Sequence, residues 1–133
     1  HDDLLGTLLG RALALLPNDE AEKLAEEVGH EYGLHLAAEM APGEAHRSLQ
    51  SAVATVAETL TSHGFEARSE GSAGHLRIVS EHCPFGQAAI DHPVLCAIDR
   101  GLVRGLLAGL HGETTPQLAG SLPMGHSACT TLV

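Results

Sequence analysis

In the first half of the chain the apolar positions recur at helical spacing. Leu4, Leu5, Leu8, Leu9, Ala12 and Leu13 fit one short helix, which must end before Pro17. Asn18-Asp19-Glu20 then supplies a capping residue and two carboxylates, which suit a helix start. From there Leu24, Val28, Tyr32, Leu36 and Met40 return every fourth residue until Pro42-Gly43, predicting a long second helix with these side chains as its apolar face. A third helix shows Leu49, Val53, Val56 and Leu60 at i, i+4, i+7 and i+11, closed by His63-Gly64.

At Phe65 the period changes to two. Phe65–Ser69 alternates, Gly71–Gly74 is a turn and Leu76-Arg77-Ile78 alternates again, which reads as a β-hairpin. An irregular segment, Glu81–Gly86, and a short helical piece come next. Asp91-His92-Pro93 then starts a helix that carries Val94, Leu95, Ile98, Leu102, Leu106 and Leu110 and stops at His111-Gly112. The tail, 114–122 and 127–133 around Pro123-Met124-Gly125, reads as a second hairpin. The expected fold class is α+β: N-terminal helices followed by hairpin–helix–hairpin, with the four strands in one small antiparallel sheet. At 133 residues it is read as a single domain spanning 1–133.

Composition sharpens this picture. Aromatics make up 2% of the chain, so the core must be built from Leu, Val, Ile and Ala. The net charge is −10, with Lys23 as the one lysine, and the six arginines do not cluster. Duplex binding needs clustered cations to displace counterions, so this chain alone is not expected to bind DNA. The most apolar stretch, Val94 to Leu110, carries Asp99, Arg100 and Arg104, so no membrane association is expected and the cytoplasm is the default location. Gly101, Gly105 and Gly109 form a smooth helix face. Glycine costs about 1 kcal/mol against alanine in a helix interior, so the face implies close approach by another backbone, from the sheet or a second subunit.

Candidate chemistry centres on Cys83 in a loop, Cys96 in the first turns of a helix and Cys129 near the end of the last strand. Three cysteines cannot all pair with one another, which argues against a secreted disulfide framework. Pro84 stiffens the loop after Cys83, and the helix macrodipole favours a thiolate at Cys96. Thiolates select zinc, copper(I) or iron–sulfur clusters. The spacing lacks a short C-x-x-C pair, so reactive thiols or plain core cysteines stay open on these residues alone. No base–nucleophile pair, phosphate loop or useful carboxylate pair stands out, so enzyme activity is not expected.

Cys83-Pro84-Phe85, His92-Pro93-Val94-Leu95-Cys96, Leu102–Leu110 and Gly125–Val133 together resemble the sensor region of the Suf-operon repressor family. These are iron–sulfur regulators related to arsenic-repressor-like winged helix proteins. The resemblance spans roughly residues 44 to 133 and implies that Cys83, Cys96 and Cys129 ligate a [4Fe–4S] or [2Fe–2S] cluster, with zinc as the alternative metal. The family's fourth cysteine has no counterpart here. His111 is the first candidate for a fourth ligand, followed by His126 and His82. The resemblance also implies that DNA is contacted only through an N-terminal winged helix domain that this chain does not contain.

The expected function is therefore a redox- or iron-responsive sensor domain of a bacterial transcriptional repressor. The alternatives are a small-molecule-binding or structural-zinc regulatory domain, and a thiol-based redox switch using Cys96. A homodimer is expected, because Leu4–Leu16 is more apolar than one small core needs at a terminus and repressors of this type read two-fold operators.

Overall fold

The computed structural model describes residues 2–40, 48–71, 75–81, 87–112, 114, 116–120 and 129–133. The helices are α1 (Asp2–Leu13), α2 (Asn18–Met40), α3 (Leu49–Ser62), α4 (Gln87–Asp91) and α5 (Cys96–Leu110), with a 3₁₀ turn, Pro93–Leu95, leading into α5. Strands β1 (Ala67–Glu70), β2 (Arg77–Ser80), β3 (Gln117–Gly120) and β4 (Cys129–Leu132) form one sheet in the order β1-β2-β4-β3, with antiparallel neighbours throughout. The α+β class and the joining of both hairpins in one sheet agree with the sequence pattern. Among the described residues no helix is long and apolar enough to cross a membrane.

Local chemistry explains several boundaries. Ser48 caps α3, its hydroxyl accepting from the Ser51 N–H at 3.2 Å. Pro17 cannot continue α1, and its carbonyl accepts the Ala21 N–H at the start of α2. Gly64 turns the chain out of α3 with a φ of 96°, a conformation that favours glycine.

The main core joins three layers. Val53, Val56 and Leu60 of α3 meet Leu102, Val103, Leu106, Leu107 and Leu110 of α5, and Phe65, Leu76 and Ile78 close it from the sheet side. A smaller cluster around Leu95 draws in Leu13, Ala21, Ala25, Ala88 and Ala97.

The seam between α2 and α5 corrects two expectations. Helix α2 buries Ala21, Ala25, Gly29, Gly33 and Ala37, while Leu24, Val28, Tyr32 and Met40 of the anticipated apolar face are exposed and Leu36 is partly buried. The glycine face of α5 meets this small-residue stripe of α2, rather than the sheet or a second subunit. A Cβ at Gly101 or Gly105 would overlap the carbonyl oxygens of Glu26 or His30, and one at Gly29 would overlap that of Ile98. Large side chains would hold these parallel helices apart. Small ones let backbone meet backbone, and the large side chains of α5 are left to fill the core beneath.

Helix α1 also departs from the simple amphipathic picture. Its buried positions are Gly6, Gly10 and Leu13, and Leu4, Leu5, Leu8 and Leu9 face away from the domain.

Candidate functional site

Helix α5 positions most of the chemistry. Its first residue, Cys96, is half-buried and follows the 3₁₀ turn, donating its backbone N–H to the carbonyls of Pro93 and Val94. Cys96 also lines a cleft of about 510 Å³ between the end of α1, the start of α2 and the Asp91–Arg100 segment. Leu13, Ala14, Ala21, Pro93, Val94 and Ala97 supply the apolar wall, and Asn18, Glu22, His92 and Arg100 are among its polar groups. This volume lies within the range of small-molecule pockets.

Arg100 is tied across the seam, 2.8 Å from Glu22 and 3.2 Å from Glu26. Burial works against its charge, but the two carboxylates outweigh that and hold its pKa above the ordinary value. Arg104 reaches Glu26 at 3.8 Å. The cleft therefore offers a hydrogen-bonding rim whose main cation is already paired, beside an apolar wall.

Cys129 opens β4 opposite Ser80 in the β2–β4 register, and Thr131 stands opposite Ile78. Directly opposed residues share a face and alternate residues return to it. Ile78 packs into the core with α3 and α5, so Cys129, like Ser80, belongs to the helix-covered face of the sheet. Ser80 ends β2. Cys83 itself, with His82 and His126, lies outside the described residues. Among those described, no three His, Cys, Asp or Glu side chains gather as a metal site.

His111 is the C-cap of α5 and Cys96 is its first residue. At 1.5 Å of rise per residue they stand about 22 Å apart along the helix axis, far more than one ligand shell spans. His111 therefore cannot share a metal with Cys96. This removes the first candidate for a fourth ligand, and the reason is that the helix does not break between them.

The sequence pattern did not single out Asp99 as a site residue. It continues the apolar stripe of Leu102, Leu106 and Leu110, and its Oδ1 is sealed from solvent without a hydrogen-bond partner. Burial raises its pKa to about 6. The signal was present in the sequence: an acid stands where the stripe calls for an aliphatic residue.

No family model matches the chain, and no curated protein matches it. The resemblance to the Suf-operon repressors thus has no counterpart in these comparisons. Solved structures do match. One is the phenol-responsive sensory domain of the transcription activator PoxR, crystallised with phenol, at a TM-score of 0.74 and 20% identity, covering 99% of this chain and 73% of that one. Another is trafficking protein particle complex subunit 3 from Naegleria fowleri, covalently bound to palmitic acid, at a TM-score of 0.74 and 14% identity, covering 98% and 92%. At these identities the likeness shows a shared fold.

Proposed function

We propose that this chain is the sensory domain of a transcription regulator, with a metal held by Cys83, Cys96 and Cys129 beside a cleft that takes a small effector. The observation that carries the reading is the fold likeness along 99% of the chain to a sensory domain of a transcription activator. That neighbour responds to phenol, and the cleft here pairs an apolar wall with a few polar groups, the chemistry suited to a small, mostly apolar molecule with one polar substituent.

Three thiols are a soft donor set, fitted to zinc or an iron–sulfur cluster. Cys129 belongs to the helix-covered face of the sheet and Cys96 starts α5, while Cys83 lies outside the described residues. When bound, a metal would supply a cross-link between the sheet end and the first turn of α5. Cys96 also lines the cleft, so an effector pressing on that turn would strain the same link. This is how one small domain could turn occupancy into a shift of α5.

Metal analysis and a visible spectrum of anaerobically purified protein test the metal. Stoichiometric zinc without colour, or iron with broad visible absorbance, each supports a thiolate centre and names it. Metal should be lost in Cys83→Ser, Cys96→Ser and Cys129→Ser alike. Protein with neither metal, or a Cys129→Ser variant that keeps it, refutes the shared site. Calorimetric titration with phenol tests the cleft. Heat that disappears in Ala14→Trp, which fills the cleft from an exposed position, supports it. Equal binding by both proteins places the effector elsewhere.

A further inference from the structure

The first turn of α5 carries two groups of metal-binding chemistry, Cys96 and, three residues on, Asp99. Residues at i and i+3 are neighbours on a helix, with Cβ atoms about 5–6 Å apart. Helical side chains lean toward the helix N-terminus, so Asp99 leans back over the turn that Cys96 opens. The Asp99 Oδ1 is sealed from solvent and has no hydrogen-bond partner among the described residues. Arg100, next in the chain, is turned instead to Glu22 and Glu26 across the seam. Burial alone raises the Asp99 pKa, with no charged neighbour adding to it or opposing it. An unmade buried acceptor is costly, and a bound ion is one of the few things that explains it.

We infer that Asp99 is the fourth ligand of a single tetrahedral zinc ion, binding beside Cys96 through one carboxylate oxygen. This rests on the thiolate centre proposed above and fills the place that His111 cannot. Donor pairs at i and i+3 on one helix hold metals together in helical bundles, because the helix fixes both before the ion arrives. Zinc accepts a carboxylate oxygen at about 2.0–2.2 Å beside thiolate sulfur at about 2.3 Å, so three sulfurs and one oxygen suit it. Iron–sulfur clusters draw on Cys and His instead, so the acid favours the single ion. The macrodipole at the start of α5 favours both anions, yet a thiolate and a carboxylate one turn apart repel each other until a dication lies between them. The turn is also held in place, because Gly101 meets the Glu26 carbonyl just beyond it.

Zinc competition with a chromophoric chelator, and cobalt(II) substitution, test this on the whole chain. The wild type should bind zinc, and cobalt should give intense visible bands with thiolate charge transfer. Asp99→Asn, which keeps the shape of the acid, should weaken zinc at least about tenfold and alter the cobalt bands while circular dichroism holds. Asp99→Cys should restore the affinity, raise the charge-transfer intensity and move the visible bands to longer wavelength. A buried acid with a purely structural role would leave the cobalt spectrum unchanged in both variants. Zinc that is lost in Cys96→Ser, yet held as tightly by Asp99→Asn with unaltered cobalt bands, overturns Asp99 as a ligand and leaves the thiolate centre standing. Iron with broad visible absorbance in the wild type also overturns the single-ion site and keeps that centre. A wild type that takes up neither zinc nor iron removes both.

Discussion

Helices α1 and α2 both meet the rest of the domain through small residues, yet the two contacts differ in what lies across them. Along α2 the stripe Ala21, Ala25, Gly29, Gly33 and Ala37 is matched by Gly101, Gly105 and Gly109 of α5, so two smooth faces close until their backbones touch. Along α1, Gly10 meets the ring of His92 and no second glycine face is involved. The first contact is backbone on backbone and cannot yield. The second rests partly on a side chain that can turn. In both helices most of the large apolar residues are left on the outside, Leu13 and Leu36 excepted, and their position in the sequence says nothing of whether the core or another surface covers them.

Substitutions at the seam separate the two contacts most strongly. Gly105→Val should cost at least about 4 kcal/mol and leave the chain largely unfolded by circular dichroism, because its branches would enter the His30 carbonyl. If Gly105→Val folds with near-native stability, the backbone seam is drawn too close. Beneath it, Leu106→Ala should cost about 3 kcal/mol in urea unfolding, since Leu106 is fully buried. Leu8→Ala, on the outward face of α1, should cost under about 0.5 kcal/mol in the isolated protomer. Equal losses at the two leucines would mean that α1 is packed as core.

The buried acid near the seam gives the next effect. Asp99 has its pKa raised to about 6 from an ordinary 3.8. The folded chain therefore keeps a proton that the unfolded chain gives up. This contribution to stability is present at low pH, falls between about pH 4 and pH 6, and is gone above that, a change on the order of 2–3 kcal/mol. Asp99→Asn should flatten that slope in urea titrations across this range, and an unchanged slope would mean that the carboxyl is solvated. The smallest effect belongs to Gly10→Ala. Gained helix propensity of about 1 kcal/mol sets itself against displacement of the His92 ring, so melting should move only slightly. A loss as large as that of Gly105→Val would erase the distinction between the contacts.

How far the site could be read from the residues follows the same division. The elements of Cys96 and Cys129 were legible, because Pro93 and the change of period mark helix and strand, while Cys83 lies outside the described residues. The cleft was not, since Leu13, Glu22 and Arg100 come from three segments that share no local pattern. His111 looked eligible because distance along a sequence hides distance along a helix.

By itself the sequence determined the elements, their order and the α+β class: capping at Ser48, termination at Pro17 and Gly64, and alternation in the strands are all local effects. Tertiary structure decided which face each helix buries. Hydrophobicity reports that a face prefers to leave water, but not how near a partner can come. That distance depends on the steric match of two surfaces remote in the chain. At the α2–α5 seam the match is glycine to carbonyl, and it overrode the larger apolar stripe one residue away.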